Sequence, residues 1–177
     1  MDFIAAGEFL KQVSITSLSG LAIQGESGGG LLVGAVTNQR PELFDVALPG
    51  VGVMDMLRYD KFTGGIMWAG EFGSPAEEKH FHNLMRYSPY HTIKPGQNYP
   101  AILATTADAD DRVVPAHTFK YVAALQAADL GPKPRLMRIE TRAGHGAGMP
   151  LDKVIAHHSD MWAFAAHWTG LEVRPVR

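Results

Sequence analysis

A serine set between glycines, Gly25-Glu26-Ser27-Gly28-Gly29, is the feature of this chain that most constrains its fold. It follows a short apolar run at residues 21–24 and precedes a second apolar segment at residues 31–36. The pattern G-x-S-x-G between a strand and a helix is typical of a sharp turn that holds a serine clear of a sheet, because glycines permit the strained backbone. The pattern predicts Ser27 as a nucleophile, and a plain glycine-rich turn is the alternative.

Acid and base candidates follow in the chain. Asp108, Asp110 and Asp111 come directly after residues 100–106, which are predicted to form a buried strand, and His145 lies in a later glycine-rich loop. Catalytic groups gather at the carboxyl ends of parallel strands. The order serine, acid, histidine is similar to that of α/β-hydrolases. The residues therefore predict a triad, in which the aspartates cannot yet be told apart.

The composition is that of one globular unit: 177 residues, of which 46% are hydrophobic and 19% are charged. A net charge of -2 without a basic stripe gives little support to nucleic-acid binding. The absence of cysteine excludes disulfides and thiolate chemistry. No apolar run is long enough to cross a membrane and no signal peptide is visible, so we expect a soluble protein, cytoplasmic or periplasmic, without a membrane partner.

Predicted strands and helices alternate along the chain. The strands are expected at residues 21–24, 44–48, 101–106 and 135–140, and the helices at residues 3–11, 28–38, 115–128 and 151–168. Alternation of this kind predicts an α/β fold with a mainly parallel sheet flanked by helices, as one domain over residues 1–177. Residues 50–99 are expected to form a partly helical excursion over the active face.

We also expect particular packing roles for several residues in these helices. Gly30 and Gly34 should let the helix after the serine lie close to the sheet. Trp162, Phe164 and Trp168 should be core or packing residues in the last helix.

Histidines offer an alternative kind of site. The chain has eight of them, including His80 and His82 and the adjacent pair His157 and His158. A metal site needs three or four convergent ligands, and neither pair is joined by carboxylates at a recognised spacing. We therefore expect no metal.

Several further segments carry a resemblance to a known family. They are residues 38–44, 51–57, 87–91 (Tyr-Ser-Pro-Tyr-His), 110–115 (Asp-Asp-Arg-Val-Val-Pro) and 143–148 (Ala-Gly-His-Gly-Ala-Gly). Together with the serine motif they make the chain closely resemble the C-terminal part of the catalytic α/β-hydrolase domain in the prolyl oligopeptidase (prolyl endopeptidase) family of serine peptidases. The resemblance covers almost the whole chain.

The resemblance implies cleavage of short peptides after proline through an acyl-enzyme intermediate, with no metal or organic cofactor. Ser27 would attack, His145 would transfer the proton and Asp110 would orient the imidazole. The backbone N–H of Gly28 would bind the oxyanion, since that contribution needs no side chain. Arg112 would hold a substrate carbonyl next to the proline, a role that suits a charged donor.

The resemblance also assigns a proline pocket. Trp68 would stack on the substrate ring, and Val53, Phe72 and Val113 would form the other apolar walls. A flat, rigid aromatic face suits recognition of a compact ring. Without the resemblance, Trp68 and Phe72 would be read as core residues.

Two departures from the family pattern keep alternatives open. Family members commonly have Gly-Gly-Ser-Asn-Gly-Gly at the serine, whereas Glu26 precedes Ser27 here, as in many carboxylesterases. A carboxylesterase-like hydrolase is therefore one alternative. The family's β-propeller, its early strands and a tyrosine that completes the oxyanion hole have no counterpart in this chain. A non-catalytic truncated half that associates with a missing N-terminal hydrolase or propeller segment is the other.

That second departure leads to two expectations about the isolated chain. Loss of one oxyanion donor typically lowers the rate by about 10² to 10³, so we expect little activity. The strand that carries the serine should form an exposed sheet edge.

Overall fold

The protein contains a four-stranded parallel sheet, seen in a computed structural model that describes residues 2–16, 20–146 and 148–172. The strands are β1 (Ala22–Glu26), β2 (Val46–Gly50), β3 (Ala101–Ala107) and β4 (Arg135–Glu140). They lie side by side in the order in which they occur in the chain, and each neighbouring pair is parallel. The predicted α/β architecture with a parallel sheet is confirmed.

Helices follow or precede each strand. They are α1 (Asp2–Gln12), α2 (Gly28–Gln39), α3 (Ala69–Phe72), α4 (Glu78–Met85), α5 (Ala116–Ala127) and α6 (Leu151–Thr169). Short 3-10 turns at Pro41–Leu43, Tyr59–Lys61 and Gly65–Trp68 complete the described helical structure. The excursion between β2 and β3 is partly helical, as predicted. None of the described helices is both long and apolar enough to cross a membrane.

The first two strands extend further toward their carboxyl ends than their apolar residues predict. β1 continues to Glu26 and β2 to Gly50, because the register pairs Gly25 with Pro49 and Glu26 with Gly50 although glycine and proline have low strand propensity. The amide of Ser27 donates to the carbonyl of Gly50 at 2.9 Å. These extensions bring the serine level with the end of β2.

Both faces of the sheet are covered. Side chains alternate along a strand, so consecutive residues contribute to opposite faces. On one face, β1 to β3 pack against α2 and α5 through buried Ile23, Ala47, Ile102, Val33, Val36, Tyr121 and Leu125. On the other, β2 and β3 pack against α6 through Val46, Leu48, Leu103 and Met161, with Phe164 and Trp168 partly buried against them.

The expectation for Trp162 is wrong, because its side chain is 63% exposed while Met161 beside it is 1% exposed. Adjacent helical residues point about 100° apart, so only one of the two can face the sheet. Leu151 and Ile155 are exposed on α6 as well. The described part of the chain thus leaves one apolar side of α6 open.

The glycines of α2 make close contacts on two sides. A Cβ atom at Gly30 would lie 2.4 Å from the carbonyl oxygen of Gly50, so this glycine does let α2 approach the sheet. A Cβ at Gly34 would instead meet Pro89 and the sulfur of Met54, at 3.0 and 3.1 Å. Gly34 therefore permits packing against the excursion rather than against the sheet.

A buried polar cluster fixes the start of the excursion to α5. Asp55 is fully buried and forms an ion pair with Lys120, and its amide donates to Nδ1 of His117 at 3.1 Å. Burial would raise the pKa of Asp55, but the hydrogen bond and charge of Lys120 hold it below its usual value. Burial lowers the pKa of His117 to about 4. His117 is therefore a neutral structural histidine.

Candidate active site

Ser27 occupies a strained turn between β1 and α2. Its backbone angles are φ 57° and ψ −118°, a conformation that residues with a side chain rarely adopt. Its amide donates to Gly50, and its carbonyl accepts from the amide of Leu31 at 3.1 Å. Hydrogen bonds on both sides of the residue hold the turn, which presents the hydroxyl at the carboxyl edge of the sheet.

Close backbone approaches explain part of the glycine pattern. A Cβ at Gly25 would lie 2.4 Å from the carbonyl oxygen of Gly29, so the turn closes too tightly for any side chain there. A Cβ at Gly28 or Gly29 would meet no heavy atom within 4 Å. The first glycine of the motif is therefore required because no side chain would fit there, whereas a side chain would fit at either of the two glycines after the serine.

A chain of hydrogen bonds joins the predicted triad. Nε2 of His145 lies 3.1 Å from Oγ of Ser27, and Nδ1 of His145 lies 2.7 Å from Oδ2 of Asp110. An ionised carboxylate accepts only, so Nδ1 of His145 donates to Asp110 and leaves Nε2 free to accept from the serine hydroxyl. This is the geometry in which a histidine can take a proton from a serine.

Asp110 is distinguished from its neighbours by its surroundings. Its side chain is fully buried, and Oδ1 accepts hydrogen bonds from the amides of Arg112 at 3.0 Å and Val113 at 2.9 Å. Asp108 and Asp111 are exposed, and the carboxylate of Asp108 accepts only a 3.4 Å bond from an amide of the histidine loop. Of the three aspartates, Asp110 alone contacts His145.

Backbone hydrogen bonds tie the aspartate loop after β3 to the histidine loop after β4. The amide of Asp108 donates to Glu140 at 3.0 Å, and the amide of Ala109 donates to Ala143 at 3.1 Å. The pairing of β3 with β4 thus continues into both loops. Ala147, in the same glycine-rich segment, lies outside the described residues.

A cavity of about 200 Å³ opens beside Ser27. Its lining residues are Ser27, Gly28, Val53, Trp68, Glu71, Phe72 and Arg112. The structure therefore brings most of the predicted pocket residues together around the serine. The exception is Val113, which is 2% exposed and lies in the apolar cluster behind the cavity with Val53.

The aromatic wall of this cavity is supported by Tyr59. The ring of Tyr59 stacks on Trp68 with centroids 6.4 Å apart and meets Phe72 edge-on at 5.6 Å. Its hydroxyl donates to the carbonyl of Gly73 at 2.7 Å. Trp68 and Phe72 therefore line the cavity and also pack against the buried apolar cluster, and their role in binding proline stays a prediction. Tyr59 was not identified from the sequence. Its only indication in the sequence is that it is an aromatic residue close to the segment that contains Trp68 and Phe72.

The amino end of α2 borders the same cavity. The first N–H groups of a helix have no partner within the helix and carry partial positive charge. Gly28 is the first residue of α2 and lines the cavity directly after Ser27. Its position suits the donation of a hydrogen bond to an oxyanion.

Glu26 is not among the residues that line this cavity. It lines a second cavity of about 150 Å³ on the α6 side of the sheet, together with Glu140, His145 and His157. Burial lowers the pKa of His157, and the charge of Arg138 lowers it further. The described residues contain no group of three or more histidine and carboxylate side chains that could hold a metal ion.

Comparison with known proteins gives consistent matches over nearly the whole chain. A model of the prolyl oligopeptidase family matches residues 1–172. The chain is 50% identical over 172 residues to the prolyl endopeptidase of Elizabethkingia meningoseptica, an alignment that covers 97% of this chain and 24% of that protein.

Solved structures of related proteins match nearly the whole chain as well. A structure from a study of two prolyl endopeptidases superposes with a TM-score of 0.92 at 57% identity, over 99% of this chain and 25% of that one. Prolyl oligopeptidase B from Galerina marginata, bound to a 35mer hydrolysis and macrocyclization substrate, superposes with a TM-score of 0.92 at 39% identity, over 98% of this chain and 25% of that one.

These matches have two consequences. The chain spans about a quarter of the length of the relatives it matches. Its fold is the α/β-hydrolase fold of those relatives, as predicted. A family match over this share of the chain, with relatives at this identity, establishes that the chain belongs to the prolyl oligopeptidase family of serine peptidases.

Proposed function

We propose that this chain supplies the catalytic triad and proline pocket of a serine peptidase that cleaves short peptides after proline. The observation that carries the proposal is the hydrogen-bond chain from Asp110 through His145 to Ser27, beside a cavity lined by Trp68 and Arg112. The names of the relatives support the same specificity.

Each triad residue has a defined part in acylation. Oγ of Ser27 attacks the substrate carbonyl carbon while its proton moves to Nε2 of His145. The buried Asp110 carboxylate stabilises the imidazolium that forms, and the Gly28 amide binds the oxyanion. Collapse of the tetrahedral intermediate breaks the C–N bond. The departing amine takes the proton from His145, and the acyl group stays on Ser27 as an ester.

Deacylation repeats the steps with water as the nucleophile. His145 takes a proton from the water as it attacks the ester, and returns it to Oγ of Ser27 when the C–O bond breaks. The peptide leaves with a new carboxyl group. The enzyme returns to its starting protonation state.

The residues of the pocket favour cleavage of a peptide after proline rather than hydrolysis of an ester. Trp68 offers a flat face for the pyrrolidine ring, and Arg112 lies at the cavity as a donor for the preceding peptide carbonyl. Glu26, the residue that favours an esterase, is not among the lining residues of this pocket and lines the other cavity, which His145 also borders. The residues at the serine are therefore better suited to a peptide.

The chain forms one partial hydrolase domain in this proposal, and full activity needs an upstream segment. Strand β1 lies at the edge of the sheet in the described part of the chain, with Ala22, Gln24 and Glu26 exposed. An unpaired edge is a template for another strand. A segment that pairs there would lie beside Ser27.

Two measurements on the purified chain test the proposal. A fluorophosphonate probe should label the chain at Ser27, whereas release of a fluorescent amine from an N-blocked Gly-Pro amide should be slow. Ser27→Ala should abolish both, and Ser159→Ala, at an exposed serine of α6, should leave both unchanged. Folded protein that the probe does not label would refute the triad. Rapid turnover by the chain alone would refute the need for an upstream segment.

A further inference from the structure

The cavity beside Ser27 carries two opposite charges that are not paired with each other. Glu71 and Arg112 both line it, and they are its charged lining residues. Within the described residues, neither side chain forms a salt bridge or a hydrogen bond. Arg112 contributes only its backbone amide, to Asp110. A cavity with an open anion and an open cation can bind a ligand that carries both an acceptor and a positive group.

The position of Glu71 is set by its neighbours. It lies on α3 between Trp68 and Phe72, whose rings both pack against Tyr59. The amide of Gly73 donates to Ala69 at 2.9 Å, and the Gly73 carbonyl accepts from the Tyr59 hydroxyl, which closes the turn. The carboxylate therefore sits on the same short element as the aromatic wall, although its own side chain is exposed.

The charge of Glu71 also acts on a neighbouring aromatic residue, Tyr87. Tyr87 packs against the apolar cluster that contains Val53 and Met56. Burial raises the pKa of Tyr87, and the negative charge of Glu71 raises it further. The carboxylate thus acts on a tyrosine of this apolar cluster as well as on the solvent.

We propose that Glu71 is a specificity-determining residue that binds a cationic group in the acyl part of the substrate, close to the proline. This inference rests on the proposed function, because it takes the proline ring to lie on Trp68 and the preceding carbonyl at Arg112. The cation is an ammonium or guanidinium group. It comes either from a basic side chain of the residue before the proline or from a free N-terminus there.

Binding to Ser27→Ala tests the proposal without any chemistry. The ligands are acetyl-Lys-Pro-amide, acetyl-norleucine-Pro-amide and norleucine-Pro-amide with a free N-terminus, titrated by NMR. The first and third each add one positive charge to the second. An exposed ion pair of the usual strength corresponds to about two- to fivefold tighter binding. The preference should weaken as salt is added.

Variants identify the group responsible. In Ser27→Ala/Glu71→Gln, which keeps the shape of the side chain, the preference for a charged ligand should disappear. In Ser27→Ala/Glu78→Gln, which removes the same charge from an exposed position on α4, the preference should remain. Tighter binding of the lysine ligand alone indicates the side-chain source, and tighter binding of the free N-terminus alone indicates the other.

Several results would overturn the inference: equal affinity for all three ligands, no binding of any of them, or a preference that survives Glu71→Gln. The outcome is separable from that of the proposed function. Post-proline turnover without a charge preference refutes the role of Glu71 alone. If the preference for a charged ligand depends on Glu71 but the probe never labels Ser27, the binding site is retained and the triad is refuted.

Discussion

Replacing Gly30 by alanine should drive α2 away from the end of β2 and disturb the serine. The added Cβ would lie 2.4 Å from the carbonyl oxygen of Gly50 and 2.9 Å from Cα of Gly52. Both are backbone atoms, so no side-chain rotation can relieve the contact. An ordinary contact begins near 3.4 Å, which requires a displacement of about 1 Å. Ser27 directly precedes α2 and would move with it.

Gly29→Ala is the matched control, because its Cβ would meet no heavy atom within 4 Å. Both substitutions lie in the first turn of α2, so the gain in helix propensity cancels when the two variants are compared. The remaining difference is the overpacking cost, about 1 to 3 kcal/mol. With a urea dependence of about 2 kcal/mol per molar, Gly30→Ala should unfold about 0.5 to 1.5 M earlier.

Urea unfolding followed by tryptophan fluorescence measures this difference, and fluorophosphonate labelling measures its effect at the site. Oγ of Ser27 is 3.1 Å from Nε2 of His145, so a shift of about 1 Å would remove the hydrogen bond and slow labelling by about 100-fold. Equal urea midpoints for the two alanine variants would show that the close approach of α2 to β2 does not require glycine at residue 30.

Three further outcomes are expected. Asp110→Asn should slow labelling of Ser27 by about 10³ to 10⁴, whereas Asp108→Asn should change it less than tenfold; equal effects would refute the assignment of the acid. His117, with a pKa near 4 in the folded chain against about 6.5 when unfolded, should make no contribution above pH 6.5 and should reduce stability as the pH falls toward 4, by up to about 3 kcal/mol. Urea midpoints across this range should fall more steeply than those of His117→Gln, and parallel slopes would contradict the argument. Met161→Ala should lower the free energy of unfolding by about 2 to 5 kcal/mol and Trp162→Ala by under 1, and thermal melts showing the reverse order would contradict their burial.

The strand and helix order could be predicted because each element has a strong local signal. β3 is a fully buried run of small, apolar and threonine residues, and each triad residue follows a strand in a loop of small or acidic residues. The ends of β1 and β2 could not be predicted as well. Their last residues are glycine, proline or glutamate, which join the ladder only because a neighbouring strand is already in place.

The sequence could not show which of the three nearby aspartates contacts His145, because that contact depends on the conformation of a turn. Asp110 is selected by the amides of Arg112 and Val113, which converge on one carboxylate oxygen only in the folded loop. Glu71 is a similar case, since a lone glutamate in a sequence indicates a solvated surface. Its place at the cavity follows from the packing of the rings on either side of it.

The agreement between strand order and chain order has a consequence for how the site comes into being. Each new strand has only to pair with the one made just before it, so the sheet can grow in the direction of synthesis. Ser27 belongs to the first strand connection and His145 follows the last strand. The nucleophile therefore exists without its base until β4 has joined the sheet, and a reactive serine reports that all four described strands are in place.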